Sequence, residues 1–157
     1  MEIFEAKPGD ADRLAEDLWL PLAKEMENLS DYNELADTDV LEKSSEHRRK
    51  RLEEDDYTSF ILEVEDEYAG FVTVHDRKHA PVFAKDTSGE ISELFVKKKF
   101  RRNGYADQLI DRGVEWCRNR ELQAVELSVD TGNEKARELY EKKGFTEVRS
   151  RMRKENV

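Results

Sequence analysis

"GEISELFVKKKFRRNGYADQL", Gly89 to Leu109, is the stretch on which the fold turns. "GEISELFV" reads as a strand ending near Val96. Lys97, Lys98, Lys99, Arg101 and Arg102 then gather in a chain whose formal net charge is -10. Gly104 follows, and from Tyr105 the residues Ala106, Leu109, Ile110, Val114 and Cys117 form one helical stripe, with Gly113 a weak spot. The first N–H groups of a helix have no internal partner, and the helix dipole adds positive charge there. A glycine at that junction lets a phosphate approach the backbone, small Ala106 keeps the first turn open, and Arg101 and Arg102 can add charge-assisted bonds. A solvated turn would explain the bases alone; the glycine at the strand-to-helix junction favours an anion cradle. There is no G-x-x-x-x-G-K-[ST], and "NGYADQ" lacks the glycines of a dinucleotide fingerprint.

Outward from this stretch, the chain alternates strand and helix. "EIFEAK" predicts a strand, and Leu14, Leu18 and Pro21-Leu22 predict a helix after an Asp10 cap. Residues 28 to 56 are polar and compatible with one or two surface helices. "YTSFILEVEDEYAGFVTVHD" reads as a hairpin broken at Glu65 to Glu67, and Arg77 to Ser88 as a loop. "AVELSV" is a strand with Val125, Leu127 and Val129 on one face, "NEKARELYEKKGF" a helix closed by Gly144, and "TEVRSRM" a last extended segment. The expectation is one α/β domain over residues 1 to 157, with a mixed sheet flanked by helices.

Composition narrows the classes. The chain has 157 residues, 37% hydrophobic and 41% charged, enough for one buried core. It has no apolar run of membrane-spanning length and no signal-peptide pattern, so the expected compartment is the cytoplasm, with no membrane partner. Cys117 is the single cysteine. It has no neighbouring base and reads as a buried structural thiol; no cysteine-based metal cluster can form. Residues 1 to 67 carry 22 acids against 8 bases, and residues 68 to 157 carry 15 against 19. Halves of opposite sign fit one cationic and one anionic partner.

Two motifs resemble a known family. "RRNGYA", Arg101 to Ala106, is similar to the R/Q-x-x-G-x-G/A motif of the GNAT family of N-acetyltransferases, and "NEKARELYEKKGF" resembles its second block. The order of elements resembles that fold over nearly the whole chain, least between Asn28 and Asp56. The resemblance implies transfer of an acetyl group from acetyl-CoA to an amine, with no metal. Arg101, Arg102, Asn103, Gly104, Tyr105 and Ala106 would hold the CoA pyrophosphate. The strand end Leu94, Phe95 and Val96 would pair with pantetheine and polarise the thioester. Asp107 must then turn away from the phosphate. Lys97 to Lys99 are left to the 3'-phosphate or to solvent.

Acetyl transfer requires an ammonium to lose a proton and a thiolate to gain one. Tyr140 and Asn133, seven residues apart, share a side of their helix. By the family pattern Tyr140 is the general acid, its phenol pKa of ~10 suited to a thiol, and Asn133 bonds pantetheine or substrate. Glu90 and Glu93 are the candidate bases; three apart in a regular strand they face opposite sides, unless a bulge intervenes. His75 and His79 span a strand end and loop with no third ligand, so a metal site is not expected.

The leading reading is an acetyl-CoA-dependent N-acetyltransferase that works by direct transfer in a ternary complex. Its expected acceptor is a cationic amine, small or on a protein, drawn by an acidic N-terminal half lining the cleft. A catalytically idle CoA-binding module with the same fold is the alternative, and a homodimer is left open. Nucleic acid is disfavoured, because "KKKFRR" stands alone in an acidic chain.

Overall fold

The computed structural model describes residues 1–157. Five strands, β1 (Glu2–Glu5), β2 (Tyr57–Val64), β3 (Glu67–Lys78), β4 (Thr87–Val96) and β5 (Val125–Leu127), lie in that spatial order. The first four are antiparallel, and β5 joins β4 in parallel, giving the expected mixed sheet. Glu65 and Asp66 turn the β2–β3 hairpin with φ of 51° and 64°, which short polar chains at a tight turn tolerate better than β-branched ones.

Helices cover both faces. On one side, α1 (Ala11–Leu14), a π-helical stretch (Ala15–Trp19) and α2 (Leu20–Leu29) follow without a break. Pro21 explains the wider turn: it lacks an N–H and its ring crowds the carbonyl four residues back, at Asp17. Leu14 and Leu18 pack with Ile61, Tyr68, Phe71 and Phe95. Asp10 does not cap the rod by its side chain; its carboxylate instead accepts from the Lys7 N–H at 2.8 Å. The polar stretch before β2 yields one helix of length, α3 (Val40–Arg51), on the same side.

On the other face lies α4 (Tyr105–Asn119). Its Leu109, Ile110 and Cys117 meet Val72, Val74 and Ile91 in the second half of the core, and Leu139 and Tyr140 of α5 (Glu134–Lys142) pack against that cluster. Burial pushes the Cys117 thiol up to about 11, with nearby Asp76 adding to the effect, so the thiol is inert at neutral pH.

The pairing of β3 with β4 slips once. Thr73 faces Glu93, yet Val74 faces Ile91, so Ser92 is skipped. The slip inverts the side-chain faces along β4. Ile91 points to α4, whereas Phe95, four residues on, points to α1. The expectation that Glu90 and Glu93 face opposite sides is therefore corrected: they sit opposite His75 and Thr73, two apart on β3, and share the face towards α1 and α3.

The closing segment also differs from expectation. Residues 146–157 form no strand, and Val148 and Met152 stand exposed. Alternation would set Val148, Ser150 and Met152 on one side, but two apolar side chains parted by a serine bury too little to hold a strand.

Gly89 fixes how closely α4 approaches the sheet. A Cβ there would lie 2.2 Å from Cys117 Sγ. Gly89→Ala is expected to cost about 1–3 kcal/mol by overpacking, and adding Cys117→Ala should restore part of it. Urea denaturation of the single and double variants measures both; equal loss in the two would refute the contact as the cause.

Candidate active site

The site is built where β4 ends. Pairing between β4 and β5 covers only Gly89 to Ile91. From Glu93 to Val96, β4 pairs with β3 alone, and on its other edge Leu94 and Val96 have no strand partner, the Val96 carbonyl being taken by Arg101 Nε. Such an edge can accept an extended amide-bearing chain by main-chain bonds.

Beyond Val96 a short 3-10 turn (Lys98–Phe100) leads to Gly104, whose φ of +76° is the left-handed conformation that glycine adopts without strain. No side chain caps α4, and its first internal bond is Gln108 N–H to Gly104 C=O. The N–H groups of Tyr105, Ala106 and Asp107 make no hydrogen bond within the protein. They open on a cavity of about 190 Å³ bordered by Val96, Arg102, Gly104 and Ala106. Unspent donors at a positive helix end, with room in front, fit a pyrophosphate.

The bases divide differently from the sequence pattern. Arg101 donates from Nε to Val96 C=O at 2.7 Å and from Nη2 to Glu25 at 2.8 Å, so it ties the turn to α2. Arg102 is exposed and free of ion pairs. Lys97 and Lys99 both reach Glu67, at 3.4 and 2.7 Å. Asn103 donates to the carbonyls of Phe100 and Arg101, which stiffens the turn. Asp107 lies 3.8 Å from Lys143, which draws its carboxylate towards α5 and offsets its charge beside the cradle.

Tyr140 makes edge-on contact with Phe145, ring centroids 6.0 Å apart, and its hydroxyl bonds no protein group. Burial raises its pKa above the ordinary tyrosine value, so it is protonated at neutral pH. Asn133 caps α5: its Oδ1 accepts from Ala136 N–H at 3.2 Å, which leaves its amide N–H groups open.

A larger cavity, about 670 Å³, lies on the opposite face between α3 and the sheet. Ser92 and Glu93 bring β4 to it, and His75 and Tyr57 stack in its wall, ring centroids 6.3 Å apart. Glu93 is held by Arg48 through two bonds of 2.8 and 3.0 Å. Burial would push the Glu93 carboxyl up, but the Arg48 guanidinium, helped by Thr73, outweighs it and holds the carboxyl below the usual range. Glu90 instead approaches His75, Oε2 to Nε2 at 3.6 Å. The His75 Nδ1 faces the Asp76 carbonyl at 2.9 Å. A carbonyl only accepts, so Nδ1 carries the proton and the lone pair of the neutral ring lies at Nε2, on the side of Glu90. His79 turns elsewhere, to Ser88 and Glu126. No acidic wall lines this cavity: Glu93 is its single carboxylate, contrary to the expectation drawn from the charge of the N-terminal half.

The model of the acetyltransferase (GNAT) family matches residues 21–145, most of the chain. The chain belongs to the GNAT family. An uncharacterised N-acetyltransferase of Archaeoglobus fulgidus is 34% identical over 80 residues, 51% of this chain and 54% of that protein. Another, of Methanocaldococcus jannaschii, is 33% identical over 96 residues, 61% of this chain and 42% of that protein. The chain thus matches about half the length of these two relatives. The aminoglycoside N-acetyltransferase AAC(6')-Iy, solved with CoA, shares the GNAT fold at a TM-score of 0.75 and 16% identity, over 99% of this chain and 95% of that one.

Sequence reading missed Arg48 and His75 as parts of the site. Arg48 pairs with a residue 45 positions away, and no local pattern marks it; "HDRKH" holds His75 without showing which face it takes. Glu93→Gln removes the charge opposite a buried arginine and is expected to cost about 3–5 kcal/mol. Because the folded pKa of Glu93 is depressed, the pair contributes fully above about pH 4.3, the unfolded glutamate value, and its contribution fades as pH falls through the lower folded pKa. Urea midpoints of both proteins from pH 7 to pH 3 should converge; parallel curves would contradict the assignment.

Proposed function

We propose that this GNAT protein transfers the acetyl group of acetyl-CoA to a primary amine by direct attack within a ternary complex. The observation that carries the reading is the parting of β4 from β5 after Ile91, immediately before the uncapped start of α4. In it, the N–H groups of Tyr105, Ala106 and Asp107 hold the pyrophosphate, and the free β4 edge from Leu94 to Val96 holds the pantetheine amides. The acceptor enters from the opposite face through the cavity beside Ser92, so nucleophile and thioester meet where the strands part.

The proton traffic follows from the side chains. The acceptor ammonium gives one proton to His75 Nε2, and the Glu90 carboxylate on that same side of the ring stabilises the imidazolium that forms. The amine lone pair attacks the thioester carbonyl, the C–S bond breaks, and the departing sulfur takes the Tyr140 hydroxyl proton. The second proton on nitrogen leaves as the amide forms and restores the tyrosine. Glu93 positions Arg48 and stays ionised, which leaves Glu90 as the better base of the two. Cys117, the one thiol, is buried between α4 and the other side of the sheet and is not available to form a covalent intermediate here.

A second reading gives the protein a polycationic acceptor, as the name of the aminoglycoside neighbour suggests, and the net charge of -10 favours it. The bases lining the cavity oppose it.

Tyr140→Phe is expected to lower kcat about 10²–10⁴-fold while acetyl-CoA affinity, read by calorimetry, stays the same; unchanged turnover would remove the tyrosine from the mechanism. Glu90→Gln should displace the acidic limb of the kcat/KM profile, and an unaltered profile would exclude Glu90 as part of the base.

A further inference from the structure

The larger cavity has a charge at odds with the protein around it. Along one side of α3, Lys43, Ser44, His47, Arg48 and Arg51 recur at three- and four-residue intervals and all border the cavity. The single carboxylate in its lining, Glu93, is spent on Arg48. Arg51 is held by Glu54 at 2.5 Å and lies 3.7 Å from Asp56. Lys43 and His47 form no ion pair, and the buried Arg48 Nε has no hydrogen-bond partner. Glu42 and Glu46 lie on the same helix but outside the lining.

We infer that the acceptor is an amine that also carries a carboxylate, of the amino-acid or peptide-terminus class, and that Lys43, with His47 and Ser44, receives that carboxylate. The inference rests on the proposed transferase reading and names its substrate class. Fixed charges in a wall act at contact range, whereas the acidic surface beyond about 8 Å is screened at physiological ionic strength. A diamine of matching length would set its second ammonium against Lys43 and Arg51, with no free carboxylate in the lining to receive it. A carboxylate meets surplus donors instead, and ammonium and carboxylate can be served by one cavity: the amine near His75 and Ser92, the acid near Lys43. About 670 Å³ accommodates an amino acid or short peptide.

The test compares pairs that differ by one carboxylate, lysine against cadaverine and arginine against agmatine, by initial rates of CoA release. The carboxylated member of each pair should have a kcat/KM about tenfold higher or more, and Lys43→Glu should erase the preference with acetyl-CoA affinity unchanged. Equal rates, or a preference for the decarboxylated member, overturn the inference and leave the transferase reading standing. A second measurement needs no turnover: succinate and putrescine are titrated onto the CoA-loaded protein while the His47 and His75 ring resonances are followed by NMR. Shifts with succinate that vanish in Lys43→Glu support the anion site even if no amine of the set is acetylated; shifts with putrescine instead, or with neither, overturn it.

Discussion

The slip in the pairing of β3 with β4 governs the site. By skipping Ser92, β4 inverts the faces of everything after it. Phe95 joins the core beneath α1, and Glu93 comes to the same face as Glu90. A strand that twists away at a bulge cannot remain in register with a parallel neighbour, and β4 keeps β5 only up to Ile91. This slip thus frees a strand edge and sets Glu90 and Glu93 on one side of the sheet, the side of the larger cavity.

The other half of the site depends on unsatisfied donors. A helix that begins at a left-handed glycine with no side-chain cap gives up only a few tenths of a kcal/mol relative to serine or aspartate and keeps three N–H groups available. The neighbouring charges are arranged around those donors. Arg101 fastens the turn to Val96 and Glu25, Lys143 offsets Asp107, and Glu67 restrains Lys97 and Lys99. Most of the basic run thus ties the turn in place, and the open donors belong to the first residues of α4.

Much of this was legible in the sequence, for local reasons. The α4 stripe, the break of the hairpin within Glu65 to Glu67, the glycine at the strand-to-helix junction and the inert Cys117 each follow from residues within a few positions of one another. What escaped was non-local. Alternation assumes an unbroken strand, so it set Glu90 and Glu93 on opposite faces, and nothing in "EISE" announces the slip. The Arg48–Glu93 pair spans 45 residues, and the cavity wall comes from α3, whose weakly apolar sequence gives little hint of the side it turns inward. Net charge misled for the same reason: most of the acids of residues 1 to 67 point to solvent, while the bases of α3 line the cavity.

The central claim is that the parted strands and the open start of α4 form one binding surface for acetyl-CoA. Backbone amide resonances followed by ¹⁵N NMR during titration with acetyl-CoA test it most directly. The account predicts that the largest shifts fall on Tyr105 to Asp107 and on Leu94 to Val96, together, at one saturation point. Shifts confined to the exposed lysines, or absent from the β4 edge, would contradict it.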